Sequence, residues 1–231
     1  MHWFMLFIAG WFALCGSSMA GEREQNYFDG TMYPLAKDFL RRNALSPNAD
    51  FNTNEIDRLK VDFFQDRPGA ISSLRLTNKT LLGFYTEGTN SEVRSFNDLN
   101  VRPFLDYAYG PSERLKGMRT LNLGNKLTDQ AALPLLKKCF LDQGHNETNF
   151  HPAEFRRMTD GVKGESNYIE MPFYEAQWYR KDVKQADRDA GYAALPRVHI
   201  IISGLATNLV YYSKLFMPVG ADFESSTADN K

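Results

Sequence analysis

Residues 168–174 read YIEMPFY, residues 178–179 read WY, and residues 198–202 and 209–212 read VHIII and LVYY. Aromatic and β-branched side chains fit the pleated, half-buried surface of a sheet, so this C-terminal block predicts β-strands. Its apolar positions alternate up to Phe173 and then shift by one residue, which predicts a β-bulge or a bend. The VHIII segment is apolar on both faces and is predicted to be a central strand.

The N-terminal part of the chain predicts a helix followed by an antiparallel meander. Thr31 is predicted to cap the first helix. A second, short helix is predicted over residues 53–60, because Asn52 and Glu55 stand at capping-box spacing. The apolar face of the first helix is formed by Met32, Leu35, Ala36, Phe39 and Leu40. Short strands separated by turn residues are predicted at residues 61–64, 71–77, 81–87 and 92–96.

The C-terminal part follows the same order of elements. A helix is predicted over residues 128–141, with Pro134 near its start and Gly144 as its C-cap, and the strand block comes after it. The sequence therefore predicts an α+β fold in which helices pack on curved antiparallel sheet, arranged as two similar helix-then-meander halves. This element order is similar to that of cystatin-like and NTF2-like α+β domains, and the resemblance concerns element order alone.

A leucine-rich-repeat-like array is the alternative fold. The hexads at residues 71–76, 96–101 and 118–123 share the apolar spacing of the strands in such repeats, and they recur at intervals of 25 and 22 residues. Alternating strands generate the same hexads, and the C-terminal block does not continue the pattern. The α+β fold is therefore the preferred prediction.

Residues 1–20 are predicted to be a signal peptide. An apolar run at residues 3–15 is followed by Ser18 and Ala20 at signal-peptidase spacing, so cleavage is expected before Gly21. The alternative is that this segment is kept as an N-terminal anchor. The rest of the chain is divided into a helix-plus-meander region (21–110), a helix-plus-aromatic-sheet region (111–223) and a disordered tail (224–231).

Export places the protein in the periplasm, at the cell surface or outside the cell. Once the leader is removed, Cys139 is the remaining cysteine, so no internal disulfide can form. Asn78 and Asn146 begin Asn-x-Thr triplets, which are acceptors for glycans in a eukaryotic secretory route.

The charge balance excludes one class of partner. The chain has 27 basic and 28 acidic residues and a formal net charge of -1. Nucleic-acid-binding proteins usually carry a basic excess or stripe, so no nucleic acid is expected. Residues 198–219 are largely apolar, but His199, Asn208 and Lys214 interrupt them, so no membrane span is predicted in the mature chain.

One group of residues has the chemistry of metal ligands. Thiol, imidazole and carboxylate groups are the usual ligands of zinc. They occur close together in the sequence at Cys139, His145, Glu147, His151 and Glu154. Their spacing matches no standard zinc motif, and the alternative is a buried cysteine followed by solvated loop residues. A pairing of Cys139 with a histidine as a catalytic nucleophile is disfavoured by the apolar neighbours of the cysteine.

The aromatic residues of the strand block are the second candidate site. Tyr168, Tyr174, Trp178 and Tyr211 are predicted to line a cavity or an exposed patch, because Tyr and Trp are favoured where one end of the ring stays wet. The competing interpretation is that these rings pack in the core on both faces of the sheet.

The sequence has no nucleophile elbow, P-loop or dinucleotide-binding fingerprint. We therefore expect an exported, non-enzymatic binding or accessory protein that engages a small apolar ligand or a protein partner through its aromatic-rich sheet, without a cofactor. The alternative is an exported hydrolase, metal-dependent in one form, that uses His145, His151 and nearby acids.

Overall fold

A computed structural model describes residues 21–43, 45, 51–65, 68–87, 92–99, 127–160, 164, 168–190 and 195–215. The predicted leader, the C-terminal tail, the third hexad and the boundary at residue 110 lie outside these residues. In the described part, each of two segments contains helical structure followed by four strands.

The N-terminal segment begins with α1 (Glu22–Tyr27), which continues through a π-helical turn (Phe28–Met32) into α2 (Tyr33–Arg42). A 3-10 turn (Thr53–Glu55) then leads into the first strand. The four strands are β1 (Ile56–Phe63), β2 (Gly69–Leu76), β3 (Leu81–Glu87) and β4 (Glu92–Asp98).

The C-terminal segment begins with α3 (Asp129–Asp142) and a 3-10 turn (Glu147–Asn149). Its four strands are β5 (Glu154–Asp160), β6 (Ile169–Tyr179), β7 (Arg197–Ser203) and β8 (Leu209–Leu215), and α4 (Gln185–Asp189) lies between β6 and β7.

All eight strands form one antiparallel sheet in the order β1-β2-β3-β4-β8-β7-β6-β5. The last strands of the two segments, β4 and β8, pair with each other, and Phe96 lies opposite Tyr212. The predicted α+β class is confirmed. The leucine-rich-repeat alternative is wrong for the described hexads, because residues 71–76 lie in β2, which pairs antiparallel with both of its neighbours.

Helices α2 and α3 pack on one face of the sheet, here called the helix face. Alternation along each strand sends every second side chain to this face, where the rings and aliphatic chains form one core cluster with α2 and α3. One row of cross-strand neighbours on this face runs through Val61, Ser72, Phe84, Phe96, Tyr212, Ile200, Ala176 and Phe155. The core is therefore continuous across both segments.

Two N-terminal predictions are corrected. The helix begins at Glu22 rather than at Thr31, and the polar first turn is held by tertiary contacts, including Arg23 over the ring of Phe63 at 4.4 Å. The capping box of Asn52 and Glu55 is present, but it closes a single 3-10 turn. The helix predicted over residues 53–60 is wrong, because this segment pairs with β2 from Ile56 onwards.

The helix predicted at residues 128–141 is confirmed, but Pro134 lies inside it rather than at its start. The N-cap is Thr128, whose hydroxyl oxygen accepts a hydrogen bond from the amide of Ala131 at 3.3 Å. Gly144 follows the helix with φ +82°, the left-handed conformation that a glycine cap adopts without strain. The helix therefore begins at the side-chain cap of Thr128 and not at Pro134.

The register of β6 with β5 shifts near Phe173. The apolar positions change there because both faces of β6 are buried, with Met171 and Phe173 in one apolar cluster and Tyr174 and Trp178 in the main core. Arg157 pairs with Tyr174 and Thr159 with Glu170, so three residues of β6 lie opposite one residue of β5.

Among the described helices, none has the length and apolar character to span a membrane.

Candidate functional site

The face of the sheet opposite the helices, here called the outer face, carries the candidate site. Neighbouring positions across β5–β8 place Arg156, Glu175, Ile201 and Tyr211 in one row. These residues alternate with the helix-face row, so their side chains point away from the main core. His199 lies in the next row of the outer face.

Glu175 is the centre of the site. Its side chain is buried, and its Oε2 atom lies 2.7 Å from Nε2 of His199. Its other carboxylate oxygen accepts a hydrogen bond from Nε of Arg156. Burial raises the pKa of Glu175, but the hydrogen bond and charge of His199 and the nearby Arg156 guanidinium outweigh it, so the pKa lies below its ordinary value. Glu175 is therefore ionised at neutral pH.

An ionised Glu175 fixes the orientation of His199. A carboxylate accepts hydrogen bonds and donates none, so Nε2 of His199 carries the proton of this contact. The ring of Tyr211 meets the His199 ring edge-on, with centroids 5.2 Å apart. The imidazole is thus held from β6 and β8 at once, and Tyr211 is positioned beside it on the outer face.

Ser213 lies opposite His199 on β8, which raises the question of a serine–histidine–glutamate triad. In such a triad the base accepts a hydrogen bond from the serine hydroxyl. Ser213 is completely buried, and its Oγ atom makes no hydrogen bond to any group in the described part of the chain. The three residues therefore lack the contact and the access that nucleophilic catalysis requires.

Apolar side chains lie beside this polar group. Met158, Met171, Phe173, Ile201 and Val210 form a buried cluster separate from the main core, and Tyr211 packs against it while half-buried itself. A pocket of about 60 Å³ is lined by Arg156, Arg157, Met158, Thr159 and Glu175. Sites for drug-sized ligands are several times larger, roughly 300–1,000 Å³, and mostly apolar. This pocket does not fit a small apolar molecule.

The four aromatic residues predicted to bind a ligand are not brought together. Tyr174 and Trp178 lie on the helix face and are buried in the main core. The indole ring of Trp178 stacks on Phe140 at a centroid distance of 4.5 Å, and the hydroxyl of Tyr174 donates to the carbonyl oxygen of Leu127 at 2.8 Å.

Tyr211 lies on the opposite face of the sheet from these two rings, and Tyr168 is half-buried just before β6. Core packing therefore accounts for Tyr174 and Trp178, while Tyr211 lies half-buried on the outer face.

Two predicted metal ligands have partners inside the core. Cys139 is buried, with Sγ 3.4 Å from Oδ1 of Asn43, and burial raises the pKa of its thiol to about 12. The group is a neutral thiol at neutral pH, which is a poor metal ligand and a poor nucleophile. His145 is buried as well, and its Nε2 atom lies 2.8 Å from the hydroxyl oxygen of Tyr212.

The other predicted ligands face different neighbours. Nε2 of His151 donates to the carbonyl oxygen of Val183 at 3.0 Å. Glu154 pairs with Arg188, and Glu147 pairs with Lys137. Within the described ranges, no group of three His, Cys, Asp or Glu side chains is arranged to hold a metal ion.

The pair of Glu175 and His199 was missed as a site by sequence reasoning. Each residue is an ionisable side chain within a mostly apolar strand, and this was the available signal. The sequence separates them by a charged connector, so their contact could be found only from the pairing of β6 with β7.

Comparisons of this chain with protein-family models, with curated proteins and with solved structures found no match.

Proposed function

We propose that the protein is an exported, non-enzymatic binding or accessory protein that engages a protein partner through the outer face of β5–β8. The observation that carries this proposal is the arrangement of Tyr211 and His199 around the buried, ionised Glu175. Two strands and a carboxylate hold these rings in place before any partner arrives. Binding then costs little side-chain ordering.

Tyr211 has the properties of an interface anchor. It is half-buried, packs against the apolar cluster on one side and touches His199 on the other. Tyrosine and arginine are enriched at the centres of protein interfaces, and Arg156 stands exposed in the same row. A protein partner is favoured over a small apolar ligand, because the pocket beside Glu175 is small and lined mainly by charged residues.

The proposal includes two finer features of the chain. Residues 1–20 act as a cleaved leader, which is supported by the apolar run and the small residues before Gly21. The two helix-plus-four-strand segments are similar halves of one curved sheet, which is supported by their equal strand number and by the pairing of their last strands.

Native mass spectrometry of the protein purified from its own secretory route tests this function. We expect the mass of residues 21–231 together with a stoichiometric protein partner. A bare chain would count against the proposal. A stoichiometric metal in its place would favour the hydrolase alternative, although His145 and His151 each contact another protein group.

A matched pair of tyrosine variants tests the surface. Tyr211→Ala removes the proposed anchor, whereas Tyr85→Ala removes a tyrosine from the outer face of β3 in the other segment. We expect loss of the partner for the first variant and retention for the second, with thermal unfolding measured for both. Retention of the partner by a folded Tyr211→Ala protein would contradict the proposed surface.

A further inference from the structure

One of the two ring nitrogens of His199 is used within the described part of the chain. Nε2 donates to Oε2 of Glu175 at 2.7 Å, and the ring meets Tyr211 edge-on. Nδ1 is not among the buried polar atoms that lack a partner, and 16% of the side chain is exposed. Because the proton of the neutral ring lies on Nε2, Nδ1 carries a lone pair and accepts hydrogen bonds. The outer face therefore presents an acceptor beside Tyr211.

The position of this acceptor is fixed by the neighbouring strands. His199 lies opposite Gln177 of β6 and Ser213 of β8, and both of these neighbours are uncharged. Glu175 is itself held by Arg156 of β5, so the imidazole cannot exchange its two nitrogens without breaking the contact with a buried carboxylate. A donor that approaches Nδ1 thus meets a preorganised acceptor, and ordering of the side chain costs little on binding.

Protonation of His199 removes this acceptor. The added proton goes to Nδ1, because Nε2 already carries one. The lone pair is then replaced by an N–H donor, and the ring gains a positive charge. Histidine is the side chain whose charge ordinarily changes between about pH 5 and pH 8. The hydrogen-bonding character of the outer face therefore depends on pH at this one atom.

The other ionisable groups that face the imidazole keep their charge in this range. They are Glu175 on β6, Arg156 on β5, Tyr211 on β8 and Arg197 two residues away on β7. Burial raises the pKa of Glu175, but the contacts with His199 and Arg156 hold it below its ordinary value of 4.5, so this carboxyl group is still ionised at about pH 5. Phenol and guanidinium groups ordinarily titrate at about pH 10 and above. Within this group of residues, the imidazole is the side chain that titrates.

We propose that Nδ1 of His199 accepts a hydrogen bond from an N–H or O–H group of the protein partner, and that protonation of this nitrogen weakens the binding of the partner. This inference rests on the proposed function, because it names the chemistry and the pH regulation of the contact beside Tyr211. After protonation two donors face each other, and the partner's donor loses its acceptor at the interface. Binding is therefore strong at neutral pH and weak in acid.

Nitrogen-15 NMR of the purified, imidazole-labelled protein tests the tautomer without a partner, because protonated and unprotonated ring nitrogens have distinct chemical shifts. His199→Gln assigns the signals of His199 among the four histidines of the chain. We expect a proton on Nε2 alone at about pH 8 and a second proton on Nδ1 at about pH 5. A proton on Nδ1 of the neutral ring, or a protonation state that does not change between these pH values, would overturn the inference.

Photo-crosslinking tests the binding. Benzoylphenylalanine at position 211 keeps an aromatic ring beside His199, and extracts of the producing cells are irradiated at about pH 8 and about pH 5. We expect the yield of the crosslinked partner to fall by about fivefold or more in acid. His199→Gln keeps a donor for Glu175 but gains no proton, so its yield should be about fivefold lower than that of the wild type at pH 8 and should change by less than about twofold in acid.

His151→Gln is the matched control, because Nε2 of His151 donates to the carbonyl oxygen of Val183 and this residue lies outside the outer-face site. We expect its yields to follow those of the wild type at both pH values. Far-ultraviolet circular dichroism verifies that each variant is folded at each pH. If His199→Gln does not fold, the NMR titration and the pH dependence of the wild-type yield still decide the inference.

The outcomes separate this inference from the proposed function. A partner that crosslinks from position 211 equally well at both pH values would show that the inference alone is wrong. A folded His199→Gln protein whose yield falls in acid as steeply as that of the wild type would also overturn the inference. If no partner crosslinks from position 211 at either pH, the proposed function is wrong, and the inference that rests on it is wrong as well.

Discussion

At Glu175, burial and hydrogen bonding act on one carboxyl group in opposite directions. Burial alone would favour the neutral acid, yet the contacts to His199 and Arg156 keep the group ionised. A buried carboxylate with two donors from neighbouring strands ties β5, β6 and β7 together on the outer face. Its removal would leave His199 without its acceptor in a largely buried position, and an unmade buried hydrogen bond costs more than a formed one stabilises.

We expect Glu175→Gln to lower the free energy of unfolding by about 2 kcal/mol at neutral pH. Because the folded-state pKa is below the ordinary value of 4.5, the contribution of the carboxylate is complete above that pH and is lost as the pH falls through the folded-state pKa. Urea unfolding at about pH 7 and about pH 3 should therefore show a difference between wild type and variant that shrinks in acid.

The control for this pH dependence is Glu147→Gln, at an exposed carboxylate paired with Lys137. We expect it to change the unfolding free energy by about 0–1 kcal/mol. An equal destabilisation of Glu175→Gln at both pH values would contradict the ionised, hydrogen-bonded state of Glu175.

Cys139 gives a second prediction at the scale of one residue. Its thiol is buried and has a pKa of about 12, so we expect no reaction with a disulfide reagent at about pH 8 in the folded protein and full reaction in urea. Rapid labelling under native conditions would show an accessible thiolate. It would then favour Cys139 as a catalytic nucleophile, a role that the structure does not support.

At the scale of the element, local sequence signals predicted whether a segment is a helix or a strand better than where it begins and ends. Runs of strand-forming residues bounded by turn residues placed β2, β3, β7 and β8 correctly. The capping box at Asn52 is present, but it is followed by a single 3-10 turn instead of the predicted helix. The next residues pair with β2 and form β1. Such an outcome depends on a partner strand and cannot be read from one segment.

The same limit applies to the candidate aromatic site. The sequence identified aromatic residues but not the face on which each ring lies. The register of β6 puts Trp178 in the main core, while Phe173 packs in the separate cluster on the opposite face. Glu175 and His199 needed the pairing of β6 with β7 to be seen as neighbours. Long-range pairing is the information that the sequence pattern lacked.

Alanine substitutions at two glycines test whether the backbone at each position requires glycine. Gly69, at the start of β2, has φ +133°, and a Cβ atom there would collide with the carbonyl oxygen of Thr86. We expect Gly69→Ala to destabilise the protein by about 1–3 kcal/mol. Gly30, in the π-helical turn, has open space around it, so Gly30→Ala should stabilise by about 0.4–1 kcal/mol. Equal effects in thermal unfolding would contradict this assignment.

At the scale of the whole molecule, one core joins the two segments. Phe96 of β4 packs with Phe39 of α2 and lies opposite Tyr212 of β8, so it connects the N-terminal helix with the C-terminal strands. Trp178 and Phe140 belong to the same cluster on the far side. We infer that the described strands unfold together.

Phe96→Ala tests this cooperativity. A large-to-small change in the core costs about 3–5 kcal/mol, so the urea midpoint should fall strongly. We expect the same shift by Trp178 fluorescence and by far-ultraviolet circular dichroism, although Trp178 lies in the other segment. A midpoint that shifts by circular dichroism alone, with Trp178 fluorescence unchanged, would show two independent units.

The most direct test of the outer face as a binding surface is site-specific photo-crosslinking with benzoylphenylalanine. The reactive residue is placed at position 211 on the outer face or, as a control, at position 141, where Leu141 is 46% exposed on α3. In cells that produce the protein, we predict one discrete crosslinked protein from position 211 and none from position 141. The same crosslinked protein from both positions, or from position 141 alone, would contradict the proposed binding surface.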